Sequence, residues 1–248
     1  MRLLVSVANA KEAAEALAGG ADLVDAKDPA SGALGPVSLL RLLQIVSTIA
    51  GARPVTAALG DACEVDAIES TARRYAATGV AFVKIGFAGI ADPHRAETLT
   101  AAAVRGATTG GRGMSGLIAT AYADGDTVGS PSPGAIVHVA ARSGAVGVLL
   151  DTANKQGPGL RDLITPARLA AWVAAAHEEG LLVALAGRLT LDDLAFACDA
   201  GADIAGVRGA ACDHGRTGHV VADKVRQLTQ AVRRSAPAPA PGPRATFG

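Results

Sequence analysis

Apolar residues recur along the chain in short runs, which alternate with longer amphipathic segments. Eight runs rich in Val, Leu, Ile and Ala predict strands, at 3–7, 23–27, 55–59, 81–85, 117–121, 146–151, 182–186 and 204–207. Helix-length segments follow them, at 9–19, 38–50, 64–78, 92–105, 133–143, 165–179, 191–200 and 220–233. Short continuous apolar runs are typical of strands that are covered on both faces. The alternation predicts an α/β fold with a parallel sheet and helical crossovers, and eight units predict a closed (β/α)8 barrel.

Local signals agree with several of these helix boundaries. Asn9 followed by Glu12 resembles a capping box, and Gly19-Gly20 is expected to end the same helix. Thr165-Pro166 places proline at the first helical position.

A repeated turn favours one domain over two. A glycine precedes the second, fourth, sixth and eighth strands, at Gly20, Gly79, Gly144 and Gly201. We therefore predict one catalytic domain over residues 1–234. From Ser235 the chain becomes rich in Pro and Ala, which predicts a disordered tail over residues 235–248.

Composition narrows the class of protein. The chain is 50% hydrophobic with 3% aromatic residues and a formal net charge of +0, which argues against a nucleic-acid-binding or anionic-membrane surface. No apolar run reaches the ~20 residues of a membrane span, and the N-terminus enters a strand without a signal-peptide pattern. Cys63, Cys198 and Cys212 share no CxxC spacing, so we expect free thiols and a cytoplasmic protein. The Ala-rich helix faces permit a homo-oligomer, and we expect one.

Charged residues collect at the predicted carboxyl ends of the strands, where barrel enzymes place their chemistry. Asp25 and Lys27 are two positions apart on the predicted second strand, so their side chains project to the same side. Lys84 ends the fourth strand, Asp151 ends the sixth, and Lys155 follows it closely. The chain has five lysines against eighteen arginines, so three lysines at one rim indicate amine chemistry.

The chemistry of these lysines depends on their protonation. Repulsion between Lys27 and Lys84 in a partly dry cavity favours the neutral form of at least one, and Asp25 and Asp151 balance the remaining charge. A neutral amine can form a Schiff base or act as a base. A purely structural salt-bridge network at the barrel rim is the alternative.

The last two strand ends predict a phosphate site. Gly187-Arg188 follows the seventh strand and Arg208-Gly209 follows the eighth. Loops at these two positions bind phosphate in many barrels through backbone N–H groups. The glycines permit close approach of the backbone, and the arginines can add charge-assisted hydrogen bonds.

Other polar groups are weaker candidates. The glycine-rich stretch 110–116 lacks the Gly-Lys-Ser/Thr of a P-loop and precedes a strand, so we interpret it as a connection. His214 and His219 lack a metal-ligand spacing, and we predict no metal. Asp61 and Asp124 follow the third and fifth strands and either line the site or cap helices.

Several motifs together resemble one family, the (5-formylfuran-3-yl)methyl phosphate synthases of methanofuran biosynthesis, also called 4-(hydroxymethyl)-2-furancarboxaldehyde-phosphate synthases. The resemblance runs from Leu3 to about the last helix. It rests on Asp25-Ala-Lys27-Asp-Pro, Val83-Lys84-Ile-Gly, Tyr122-Ala-Asp124, Asp151-Thr-Ala-Asn-Lys155, Ala184-Leu-Ala-Gly187 and Gly206-Val-Arg208-Gly-Ala-Ala-Cys212. The glycine-rich stretch and the proline-rich tail depart from the pattern, and at Arg188 we expect other residues to be tolerated.

The resemblance implies a TIM barrel that condenses two molecules of glyceraldehyde 3-phosphate into a phosphorylated furan aldehyde, with release of phosphate and water. It implies Lys27 as the Schiff-base lysine, Lys84 as the proton-abstracting lysine, and Asp25, Asp151 and Lys155 as supporting charged residues. No organic cofactor or metal is implied. A class I aldolase, a triose-phosphate-type isomerase and a non-catalytic sugar-phosphate-binding barrel stay open as alternatives.

Overall fold

Eight parallel strands form the centre of the molecule in a computed structural model that describes residues 1–235. They are β1 (Arg2–Val7), β2 (Leu23–Ala26), β3 (Val55–Asp61), β4 (Phe82–Gly86), β5 (Gly116–Tyr122), β6 (Gly147–Asp151), β7 (Leu182–Leu185) and β8 (Ile204–Val207). Each strand pairs in parallel with the next, and β8 pairs with β1, so the sheet is closed. The predicted (β/α)8 barrel is confirmed.

Nine α-helices lie within residues 1–235. They are α1 (Ala10–Ala18), α2 (Leu39–Ile49), α3 (Val65–Ala76), α4 (Pro93–Gly110), α5 (Pro133–Ser143), α6 (Leu160–Leu163), α7 (Pro166–Glu178), α8 (Asp193–Asp199) and α9 (Ala222–Ser235). Short 3-10 helices follow β2, β5 and β8, at Pro29–Ser31, Gly125–Val128 and Gly209–Ala211. The sequence pattern did not predict α6 or the 3-10 helices, because one or two turns are too short to show a helical period.

The cap signals have a structural counterpart. The Asn9 side chain accepts the N–H of Glu12 at 3.0 Å, and Thr165 caps α7 with Pro166 at its start. The Glu12 carboxylate accepts the N–H of Ala8 rather than that of Asn9, so the predicted reciprocal box is only half formed.

Helix α4 is longer than predicted, because it continues to Gly110 rather than ending near residue 105. Its glycines allow a close approach to α3. A Cβ on Gly106 would lie 2.2 Å from the carbonyl oxygen of Glu69, and one on Gly110 would lie 2.0 Å from that of Arg73. Packing therefore outweighs the low helix propensity of glycine here.

The core has two parts. Apolar side chains between the sheet and the helices form the larger cluster, and a smaller one that includes Leu4, Leu23, Ile118 and Leu149 fills the barrel interior. Several buried polar side chains also lie on the strands.

Two of the predictions concern the C-terminal tail and membrane-spanning segments. Helix α9 runs through Ser235, and the rest of the predicted tail lies outside the described residues. Within residues 1–235, no helix has both the length and the apolar character that a membrane crossing requires.

Candidate active site

A cavity of about 540 Å³ opens at the carboxyl ends of the strands. It is lined by all nine predicted site residues: Asp25, Lys27, Lys84, Asp151, Lys155, Gly187, Arg188, Arg208 and Gly209. The parallel register explains this convergence, because strand ends of a closed barrel meet at one rim. The structure thus brings all nine residues to one cavity, and their roles stay predictions.

Lys84 and Asp25 form a buried ion pair inside the barrel. The Nζ of Lys84 lies 2.6 Å from Oδ1 of Asp25, and their side chains are 6% and 0% exposed. Thr56 donates its hydroxyl to Oδ1 of Asp25 at 2.7 Å, and Ser6 donates to Oδ2 at 3.0 Å. The carboxylate is thus held by three donors, which fixes the position of the Lys84 amine.

Asp151 lies between the other two lysines. Its Oδ1 accepts from Nζ of Lys155 at 2.5 Å and from the N–H of Thr152 at 2.8 Å. Its Oδ2 is buried without a hydrogen-bond partner among the described residues, and lies 3.9 Å from Nζ of Lys27. One carboxylate therefore serves two ammonium groups, and Lys27 has the weaker contact.

Lys27 binds its proton more weakly in this site than an ordinary lysine does. Burial lowers the pKa of Lys27 from 10.5 to about 8, and the charges of Lys155 and Lys84 act in the same direction. Asp151 and Asp25 oppose this shift. The sequence suggested repulsion between Lys27 and Lys84 as the cause of a lowered pKa, but this repulsion lowers the pKa of Lys27 less than desolvation does.

The two carboxylates stay ionised. Burial alone would raise the pKa of Asp25, but the charges of Lys84 and Lys27 and the hydrogen bonds from Lys84 and Thr56 hold it below its ordinary value. For Asp151, burial likewise opposes the charges of Lys155 and Lys27, and the pKa is again lowered. Near neutral pH the site therefore contains the negative charges of Asp25 and Asp151 beside Lys27, whose pKa is about 8.

Two residues of the loop after β7 have positive φ angles. Gly187 has φ +102°, and a Cβ there would lie 3.0 Å from Cγ2 of Thr152 and 3.1 Å from Cβ of Leu160. Arg188 follows in the left-handed region at φ +59°, and its exposed guanidinium donates to the carbonyl of Gly157. A non-glycine residue in this region is uncommon and is often found at functional sites.

Arg208 is held by the protein itself. Its guanidinium pairs with the Glu12 carboxylate, at 2.8 and 3.2 Å. The remaining N–H groups donate to the carbonyls of Ser6, Arg216 and Gly218. All five donors of the side chain are thus in use, so direct donation to a phosphate requires one of these bonds to break. Its predicted phosphate contact stays a prediction.

Arg216 is a cavity-lining cation that the sequence reasoning missed. It lies in the loop after β8, half-buried, and donates to the carbonyls of Pro29 and Gly32 in the segment that follows Lys27. Burial lowers its pKa from the ordinary value. The dipeptide Gly215-Arg216 repeats the Gly-Arg pattern of the loop after β7 and was the available signal.

The weaker candidates hold loops rather than line the cavity. Asp61 accepts from the Tyr122 hydroxyl at 2.8 Å and from the N–H of Ala88 at 2.9 Å. Asp124 accepts the N–H groups of Ala153 and Asn154 and makes no cap bond with its side chain. The glycine-rich stretch 110–116 lies at the amino end of β5, opposite the cavity. Within residues 1–235, no group of three or more His, Cys, Asp and Glu side chains is arranged to hold a metal ion.

Comparison of the fold with solved structures gives matches over most of the chain at low sequence identity. A structure of 3-hexulose-6-phosphate synthase has a TM-score of 0.62 and 20% identity, covering 94% of this chain and 100% of the other. A structure of KGPDC from Streptococcus mutans has a TM-score of 0.64 and 15% identity, with coverages of 94% and 97%. At these identities the likeness is one of fold.

Comparison of the sequence is more specific. The model of the 4-HFC-P synthase family matches residues 3–229. A (5-formylfuran-3-yl)methyl phosphate synthase of Methanopyrus kandleri is 36% identical over 234 residues, which cover 93% of this chain and 98% of that protein. The enzyme of the same name from Methanothermobacter thermautotrophicus is 36% identical over 233 residues, with coverages of 93% and 98%. The chain therefore belongs to the 4-HFC-P synthase family of enzymes.

Proposed function

We propose that the chain condenses two molecules of glyceraldehyde 3-phosphate into 4-(hydroxymethyl)-2-furancarboxaldehyde phosphate, with release of phosphate and water, through a Schiff base on Lys27. The observation that carries this proposal is the buried Lys27 amine, with a pKa of about 8, in a cavity that also contains Lys84 and Lys155. Family membership supports the proposed product, because the relatives are named after the same compound.

The protonation of Lys27 favours it as the nucleophile. With a pKa of about 8, roughly a tenth of Lys27 is neutral at pH 7, against about one part in 3,000 for an unshifted lysine. The neutral amine attacks a substrate carbonyl, and the carbinolamine that forms is protonated and loses water to give an iminium. The iminium withdraws electrons and acidifies the neighbouring carbon. Oδ2 of Asp151, 3.9 Å from the amine, can carry a proton during formation and loss of the iminium.

Lys84 and Asp25 suit proton transfer at a second position. Their contact of 2.6 Å lets a proton pass between amine and carboxylate without solvent. In the proposed reaction this pair shifts a proton on one triose phosphate. Carbon–carbon bond formation, loss of one phosphate, cyclisation and dehydration follow, and aromatisation makes the last steps effectively irreversible.

The loops after β7 and β8 are the proposed site of the phosphate that is retained. Gly187 and Gly209 bring backbone close to the cavity, and Arg188 contributes charge at the rim. Lys155, bound to Asp151, adds a cation on the same side of the barrel. The site thus offers positive charge to a dianionic substrate.

Incubation of the protein with glyceraldehyde 3-phosphate, with assays of free phosphate and of the furan chromophore, tests this function. We expect both products from the wild type and from Lys11→Ala, a control in α1 outside the cavity, and neither from folded Lys27→Ala. Triose exchange or cleavage without phosphate release would favour an aldolase or isomerase. Binding without any product would favour a non-catalytic sugar-phosphate-binding barrel.

A further inference from the structure

The loop of residues 213–219 after β8 has a fixed shape. Oδ1 of Asp213 accepts the N–H groups of His214 and His219, and the N–H of Asp213 donates to the carbonyl of His219. A Cβ on Gly218 would lie 2.5 Å from the same Oδ1. Cys212 and Val220 pair as an isolated bridge at the base of the loop. These contacts hold the backbone of residues 213–219 in one conformation.

A buried ion pair ties this loop to the barrel. The Nε of Arg208 donates to the carbonyl of Arg216 at 2.7 Å, and Nη2 donates to that of Gly218 at 3.1 Å. Arg208 is in turn fixed by Glu12 of α1, with both side chains almost fully buried. The buried Arg208 thus fixes the backbone of Arg216, and this contact does not use the side chain of Arg216.

The side chain of Arg216 lines the cavity and contacts the segment that follows Lys27. Its guanidinium reaches the carbonyl of Gly32 at 2.7 Å and that of Pro29, which lies two residues after Lys27. The segment from Asp28 to Gly35 is closed on itself by a bond of 2.8 Å between the N–H of Asp28 and the carbonyl of Gly35. Arg216 therefore connects the loop after β8 to the segment that follows Lys27.

The charge of Arg216 has no direct counter-ion within the described residues. Its hydrogen bonds go to neutral carbonyls, and Asp151 and Asp28 act on it only at longer range. A half-buried cation without a carboxylate partner is costly unless an anion binds beside it. The guanidinium has five donors, so donors remain for a ligand in the cavity that it lines.

We propose that Arg216 binds the phosphoryl group of the aldehyde that reacts with Lys27, and that it holds the segment 28–35 over the bound substrate. Glu12 and Arg208 are positioning residues for this contact. The inference rests on the proposed function for the identity of the aldehyde, but not for the binding of phosphate. It assigns specificity for phosphorylated substrates to a loop arginine instead of to Arg208.

Trapping of Lys27 by borohydride separates recognition of phosphate from support of the loop. Glyceraldehyde 3-phosphate and glyceraldehyde are compared as trapping aldehydes on the wild type, Arg216→Gln, Arg216→Lys and the surface control Arg105→Gln. We expect Arg216→Gln to lose about 10- to 100-fold of the preference for the phosphorylated aldehyde, the range for one charge-assisted hydrogen bond. The rate with glyceraldehyde should fall less, because only the support of segment 28–35 is lost for that aldehyde. The preference of Arg216→Lys should lie between those of the wild type and Arg216→Gln, and the control should match the wild type.

Two results would overturn the proposal: an unchanged preference in Arg216→Gln, or an equal loss of rate with both aldehydes, which indicates a loop support alone. If the wild type gives no adduct at Lys27 with either aldehyde, the proposed function fails, and titration calorimetry with inorganic phosphate then decides the inference. Phosphate should bind to the wild type and to Arg105→Gln but weaken at least tenfold with Arg216→Gln. Equal phosphate binding by all three proteins, or by none, would refute it.

Discussion

Replacement of Asp151 by Asn tests whether the cavity sets the protonation of Lys27. Asn keeps the size of the side chain and the oxygen that accepts the N–H of Thr152. It removes the carboxylate charge that lies 3.9 Å from Nζ of Lys27 and 2.5 Å from Nζ of Lys155. Because that charge raises the pKa of Lys27, its loss should lower this pKa further.

The expected size follows from the distances. A neighbouring opposite charge at about 4 Å typically shifts a pKa by about 1 to 3. The midpoint for Lys27, about 8 in the wild type, should therefore move by about 1 to 3 pH units toward acid. Lys155 loses its counter-ion at the same time, and its repulsion acts in the same direction. At pH 7 the neutral fraction of Lys27 then rises from roughly a tenth to at least about a half.

Reductive methylation across pH measures this without any substrate, because only the neutral amine reacts. The extent of methylation at Lys27 is read by peptide mass spectrometry, and Asp66→Asn on the surface of α3 serves as the control. We expect faster methylation at pH 7 in Asp151→Asn, together with lower turnover, since the proton carrier is lost. A midpoint that stays near the wild-type value, or that moves toward alkali in a folded variant, would show that the charge of Asp151 does not set the protonation of Lys27.

Two further predictions concern stability. Lys27 binds its proton more weakly in the folded protein than in the unfolded chain, so its charge disfavours folding at pH 7. Lys27→Met should therefore raise the free energy of unfolding at pH 7 by up to about 3 kcal/mol. The gain should fade as the pH rises from about 8 toward 10.5, where the wild-type lysine is also neutral; a variant less stable than the wild type at pH 7 would contradict this. Glu12→Gln leaves the charge of Arg208 buried without its partner and should cost about 3–5 kcal/mol in urea unfolding at pH 7. Burial alone would raise the pKa of Glu12, but the pKa is lowered, mainly because Arg208 donates to the carboxylate. The stabilisation by this pair is therefore present above the ordinary Glu pKa, and it is lost as the pH falls through the pKa of Glu12 in the folded protein. A cost no larger than that of Glu178→Gln on the surface would count against the buried pair.

The fold was predictable because its signal is local and repeated. Each strand is a short apolar run, and eight repeats of strand and helix leave few topologies. The end of α4 was not predictable, since Gly106 and Gly110 have poor helix propensity. Glycine continues the helix there because any Cβ would lie only 2.2 and 2.0 Å from backbone carbonyl oxygens of α3, a contact between segments that are distant in the sequence.

The placement of the charged site was predictable for a related reason. Asp25, Lys84 and Asp151 lie on strands, and the parallel register carries every strand end to the same rim. The partner of Arg208 was not predictable, because Glu12 lies 196 residues away in the sequence. Arg216 lies in a loop without periodicity, so no pattern places its side chain over the segment after Lys27.

In the proposed reaction Lys27, and neither Lys84 nor Lys155, forms the covalent bond to the substrate. Borohydride reduction in the presence of glyceraldehyde 3-phosphate, followed by mass spectrometry of the lysine-containing peptides, tests it most directly. We expect one stable adduct, on Lys27, whose yield increases as the pH rises toward about 8. An adduct on Lys84 or Lys155 with Lys27 unmodified would contradict it.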